Sequence, residues 1–213
     1  DPDCAAFLGE QKRSARGQCL HAKDMEQVNK IKGRADGMIG LAFHSSRLAP
    51  PDAVRSGAGT PYQVFTPFWR AFLQQVNIDA PEASPRELPA PPRWPESVGI
   101  DALRLLSPPD WHLSLAEHWQ PGEDGARAAL KTFVSDRLAR YAQDRDRPDL
   151  NANSRLSPFL RHGELSPRQV WTAAMKAGER AGLAADAVRG DRFCAELIWR
   201  EFYQAILYHF PFV

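Results

Sequence analysis

Glu196 and Arg200 stand four residues apart within residues 191–211, D-R-F-C-A-E-L-I-W-R-E-F-Y-Q-A-I-L-Y-H-F-P, with Phe193, Trp199 and Tyr203 close by. On a helix that spacing puts the acid and the arginine one turn apart. A cation in a dry site suits an anionic ligand, and an aromatic face beside a hydrogen-bonding group suits a flat base. The helix carrying them is apolar most of the way round, through Phe193, Cys194, Leu197, Ile198, Phe202, Ile206 and Leu207, so it is expected to be buried on nearly every side. Charges in such a helix are costly unless paired. A buried salt bridge in a helical core accounts for the same spacing, and this helix alone does not separate the two readings.

Residues 141–169, Y-A-Q-D-R-D-R-P-D-L-N-A-N-S-R-L-S-P-F-L-R-H-G-E-L-S-P-R-Q, supply a second group. A helix over 124–142 is predicted from the stripe Leu130, Phe133, Val134, Leu138 and Tyr141. It gives way to a polar loop at Asp146 and Pro148. Ser157 before Pro158 reads as an N-cap followed by proline at the first helical position, and Gly163 ends that short turn. Ser166, Pro167 and Gln169 read as a capping box opening a helix that reaches 178–182. Hydroxyls and Arg155 thus gather at a helix N-terminus, where free N–H groups favour phosphate. Ordinary capping explains Ser157 and Ser166 but leaves Arg155 without a task.

The strings N-S-R-L-S-P-F-L, G-E-L-S-P-R-Q-V-W and A-E-L-I-W-R-E-F-Y, in that order, resemble the flavin-binding domain of the DNA photolyase/cryptochrome family. Upstream, G-A-G-T-P-Y-Q-V-F-T-P-F-W-R-A-F at 57–72 resembles the end of that family's N-terminal α/β domain. The resemblance is greatest to bacterial class I cyclobutane pyrimidine dimer photolyases and runs from about Met38 to the last residue. Residues 1–37 depart from what the family usually has there.

The resemblance implies a light-driven deoxyribodipyrimidine photolyase, a carbon–carbon lyase that repairs DNA. Reduced FAD, held in a U shape in a helical domain, passes an electron to a flipped-out pyrimidine dimer, which splits. An antenna chromophore, methenyltetrahydrofolate or a deazaflavin, feeds energy to the flavin. By position, the resemblance gives Tyr141, Asn153, Ser154, Arg155, Leu156 and Ser157 the FAD phosphates and ribityl chain. Asn153 stands where the family commonly has Thr, and its amide can still donate. Phe193 would flank the cofactor where Trp is common, keeping the ring face but losing the indole N–H. Arg200 would contact FAD. Glu196 would be the catalytic residue at the lesion, also within the cofactor's surroundings; Trp199 would stack on the flipped bases and Arg145 would touch the DNA backbone. These residue types suit that chemistry: a pyrophosphate needs cations and N–H donors, and a DNA-facing rim needs arginines such as Arg145, Arg147, Arg161 and Arg168. Those arginines alternate with Asp144, Asp146 and Asp149, a pattern that solvated surface charge also explains.

A net charge of +1 over 213 residues gives no global pull toward nucleic acid, so any DNA contact must come from a local patch. Three cysteines (Cys4, Cys19, Cys194) are too few for a disulfide framework, and Cys194 within an apolar helix points to a reducing, cytoplasmic setting. Cys4, Cys19 and His21 lack a second close pair, so no metal site is expected. His44, His112, His118, His162 and His209 show no ligand spacing and read as surface or helix-end residues. No segment approaches the ~20 apolar residues of a membrane span, and residues 1–36 are too charged for a signal peptide. A monomer without membrane attachment is expected.

The predicted fold is mainly α in the second half, the start of a helical FAD-binding domain, preceded by the tail of a Rossmann-like α/β domain. Residues 1–37 are unassigned. Residues 38–76 form the end of the α/β antenna-binding domain, with a strand at 39–43 and a helix from Thr66 and Pro67 to about Val76. Residues 77–120 form a proline-rich connector, with Pro81, Pro85, Pro89, Pro91, Pro92, Pro95, Pro108 and Pro109. Its tryptophans, Trp94, Trp111 and Trp119, are expected to pack against something. Residues 121–213 begin the helical domain. The family's later motifs, among them the tryptophan chain that photoreduces FAD, have no counterpart, so a fragment or a damaged gene product is expected, one that binds FAD weakly or not at all. A cryptochrome-like blue-light receptor and a non-catalytic remnant are the alternative readings.

Overall fold

The computed structural model describes residues 46–84, 86–87, 90, 92–94, 96–105 and 113–212. The expected strand at 39–43, the unassigned residues 1–37, and Cys4, Cys19, His21, His44, Trp111 and His112 lie outside the described residues. Two compact units divide the remainder, one of residues 46–78 with 196–212 and one of Asp79–Ala195.

In the first unit, Phe65, Phe68, Trp69 and Phe72 recur at helical spacing and form α1 (Phe65–Gln75), which buries Phe68, Ala71 and Phe72. The helix starts one residue before the expected Thr66, after an extended Val64, and ends where Val76 turns out at φ −104°, ψ 122°. Phe202 packs on Phe68 with ring centroids 5.3 Å apart. Leu48, Ala49 and Val54 of the preceding turn complete this small core. Each fully buried ring or branched side chain there is worth about 1.5–3 kcal/mol.

The second unit holds a short 3-10 turn (Ile100–Leu103), α2 (Leu113–Ala116), α3 (Glu123–Asp136), a second 3-10 turn (Leu138–Arg140) and α4 (Tyr141–Asp144). It continues with α5 (Ser157–His162), α6 (Pro167–Arg180), α7 (Ala185–Arg189) and the first residues of α8 (Arg192–His209). The capping box forms as expected: Gln169 N donates to Ser166 Oγ at 3.2 Å and Ser166 N donates to Gln169 Oε1 at 2.7 Å. Gly163 closes α5 in the left-handed region at φ 76°. Gly178 is required by packing, since a Cβ there would lie 2.2 Å from Val188 Cγ2 across α6 and α7. No described helix is long and apolar enough to cross a membrane.

Four expectations are corrected. The helix expected over 124–142 is broken at Arg137 (φ −125°, ψ −27°). The Arg137 guanidinium reaches Asn151 Oδ1 at 3.3 Å and the Asn153 carbonyl at 3.1 Å, and these partners reward a turned backbone over a continued helix. Ser157 is not the N-cap of α5: Leu156 takes that place, Ser157 is the first helical residue, and no side chain caps the end. Burial of α8 is not all-round, because Tyr203 and Leu207, one turn apart, are 59% and 64% exposed. Finally, Trp94 in the connector is 73% exposed, whereas Trp119 packs edge-on to Phe159 at 6.0 Å.

Candidate functional site

Two clusters carry the residues singled out by sequence, one in each unit. In the second unit, Tyr141 and Phe193 meet with ring centroids 5.3 Å apart at 82°. Phe133 completes the group, 5.7 Å from Tyr141 and 4.7 Å from Phe193. All three rings are buried. Asp191 fixes the start of α8 beneath this cluster, its Oδ1 accepting from Phe193 N at 2.8 Å. Arg145 lays its guanidinium over the Tyr141 ring at 5.5 Å and donates to Asp146 at 3.2 Å. Its neighbours also pair locally: Arg147 reaches Asp149 at 2.6 Å and Arg140 reaches Asp144 at 3.0 Å. The Arg147–Asp149 pair is exposed on both sides, and such a pair contributes little to stability.

The run 153–157 lies in the same unit. Asn153, Arg155 and Ser157 are exposed, Ser154 is half-buried and Leu156 is buried. The Asn153 carbonyl is held by Arg137, and Leu156 N donates to Ser154 Oγ at 3.4 Å. Arg155 stands at φ 56°, a left-handed conformation that non-glycine side chains seldom take. Such strain persists only where the surroundings impose it. Here the Arg137 tie before it and the buried Leu156 after it do so.

In the first unit, Trp199 stacks on Phe65 with ring centroids 3.6 Å apart at 9°, and on Tyr203 at 5.5 Å and 26°. Phe202 meets it edge-on at 5.7 Å. Arg200 donates to the Ser46 carbonyl and lies 3.7 Å from Glu201. Glu196 is half-buried on α8.

Glu201 was missed by sequence reasoning, although it is the buried charge of this helix. Its carboxyl accepts from the N–H groups of Leu48 and Ala49, and burial pushes its pKa up to about 7 against the pull of those amides, Arg200 and Arg47. The signal was present: Ile198, Glu201, Phe202 and Ala205 share one face at helical spacing. Phe65 and Arg137 were also missed, as their partners lie far off in the chain. Cys194 is buried, and desolvation raises its thiol pKa to about 12, which leaves it without thiolate character.

Residues 20–92 match the sequence profile described as DNA photolyase. A protein of Agrobacterium fabrum named deoxyribodipyrimidine photo-lyase is 39% identical over 189 residues, covering 87% of this chain and 38% of that protein. The protein of the same name from Escherichia coli is 34% identical over 192 residues, covering 89% of this chain and 38% of its own length. The crystal structure of a bacterial class III photolyase from Agrobacterium tumefaciens matches with a TM-score of 0.77 at 36% identity, over 91% of this chain and 40% of that one. The chain therefore spans about two-fifths of the length of these relatives. The relatives' names carry no class, and the solved structure is of a class III photolyase, whereas the motif strings resemble class I. On these matches, this chain belongs to the DNA photolyase family.

Proposed function

We infer that the protein containing this chain repairs cyclobutane pyrimidine dimers in DNA by light-driven electron transfer from reduced FAD, a lyase reaction. The observation that carries the reading is Arg155, an exposed arginine held at φ 56° beside the exposed Asn153 and Ser157. A guanidinium, an amide and hydroxyls with free donors match the needs of a pyrophosphate and a ribityl chain. Tyr141, Asn153, Ser154, Arg155, Leu156 and Ser157 bind that part of the cofactor in this reading, while Phe193 and Arg200 complete its contacts. When bound, the reduced flavin supplies the electron on illumination. Glu196 hydrogen-bonds the lesion, Trp199 offers a ring face to the flipped bases, and Arg145 meets a DNA phosphate.

The same reading takes 38–76 as the end of a Rossmann-like antenna-binding domain, 77–120 as connector and 121–213 as the start of the helical FAD domain. The antenna is a folate or a deazaflavin, and the protein works as a cytoplasmic monomer. The test measures flavin content and blue-light repair of a dimer-bearing oligonucleotide by the protein that contains this sequence. Arg155→Ala should reduce cofactor binding by about 1.5–3 kcal/mol, the range for a charge-assisted hydrogen bond. Wild-type cofactor affinity in that variant defeats the assignment of Arg155. Bound flavin without repair would favour a blue-light receptor instead.

A further inference from the structure

Three polar ties join residues 46–51 to α8 within the first unit. Arg200 donates to the Ser46 carbonyl, and His209 Nε2 donates to the Pro51 carbonyl at 3.2 Å. Between them, Glu201 accepts from the N–H groups of Leu48 and Ala49. Glu201 differs from the other two because it is only 5% exposed, the one buried charged side chain among the described residues. It lines a narrow cleft with Arg47, Pro51, Val54, Phe68, Phe72 and Gln204. Its Oε1 meets no hydrogen-bond donor among the described residues. The charges that act on it are Arg200 from its own helix, 3.7 Å away, and Arg47 from the turn. From α1 only Phe68 and Phe72 line the cleft. Burial beside Val54, Phe68, Phe72 and the prolines, with one oxygen lacking a donor, disfavours the carboxylate more than the two amides and two arginines favour it.

We propose that Glu201 and the turn at residues 46–49 form a proton-operated latch, in which the turn rests on α8 while the carboxyl is neutral and separates from it when the carboxyl ionises. The sign of the linkage follows from the two environments. In the closed latch burial holds the acid up at about 7, and once exposed it returns toward its ordinary value near 4.5. The closed form therefore binds the proton more tightly. The stability that this proton contributes is complete below about 4.5 and is lost as pH rises through about 7.

Hydrogen exchange of the Leu48 and Ala49 amides in the full 213-residue chain tests the latch. Protection factors, which remove the intrinsic pH dependence of exchange, give the opening constant at each pH. That constant should rise on the order of tenfold or more between about pH 5 and about pH 8. Glu201→Gln should keep both amides protected and flatten the profile. His209→Gln should leave the rise in place, which separates Glu201 from the other titratable group at this joint. Glu201→Met, similar in length but without a carboxyl, should give weaker protection and an equally flat profile. A flat wild-type profile overturns the proposal, and so does a rise that survives Glu201→Met or disappears in His209→Gln.

Discussion

The ring of Phe65 lies flat on the indole of Trp199, with centroids 3.6 Å apart and planes 9° from parallel. Phe65 opens α1 and Trp199 belongs to α8, so the stack fastens the start of one helix to the other. It also covers part of the ring that the photolyase reading assigns to DNA bases. Aromatic pairs contribute about 0.5–1.5 kcal/mol beyond area burial. A double-mutant cycle of Phe65→Ala and Trp199→Ala, followed by denaturant unfolding, should return a coupling in that range. Additive effects would mean that the rings meet without supporting each other.

At Arg155, backbone and side chain are expected to separate cleanly. Arg155→Gly removes the side chain and suits φ 56°, so strain relief and the entropy of glycine nearly offset each other. Unfolding free energy should stay within about 1 kcal/mol of wild type. Arg155→Val, branched at Cβ, should be less stable by about 1–2 kcal/mol. Cofactor retention should fall equally in both if the guanidinium is what binds. Flavin absorbance of the purified variants, set beside their unfolding curves, gives the comparison, and full retention in Arg155→Gly would remove Arg155 from the site.

Gly178 carries a packing prediction that requires no ligand. Its missing Cβ is where Val188 Cγ2 fits, 2.2 Å from the place a methyl would occupy. Gly178→Ala should lose about 1–3 kcal/mol, the usual cost of overpacking, despite the better helix propensity of alanine. Adding Val188→Ala should recover part of that loss. Thermal unfolding of the two single variants and the double variant decides it, and a fully additive double variant would show that the clash is not the cause.

Cys194 should be inert in the folded chain. Its thiol pKa of about 12 leaves almost no thiolate near neutral pH, and it is buried besides. Iodoacetamide at about pH 8 should modify it only after denaturant is added, as read by mass spectrometry of its peptide. Rapid modification under native conditions would show that α8 opens there readily.

Signals confined to a few neighbouring residues were legible in the sequence. The capping box of Ser166 and Gln169, the left-handed stop at Gly163 and the helix around Phe68 and Phe72 each rest on contacts within one turn, which spacing encodes directly. The motif strings that identify the family are equally local, as are the candidates at 153–157 and the Glu196–Arg200 spacing. Tertiary structure decided the rest. Arg137 breaks a helix because Asn151 and Asn153 come back to meet it. Glu201 becomes the buried acid because the turn at Leu48 and Ala49 folds onto α8, and Trp199 gains Phe65 the same way. Periodicity states which faces of a helix want cover, but the partner that covers each face comes from distant chain and is chosen only when the helices pack.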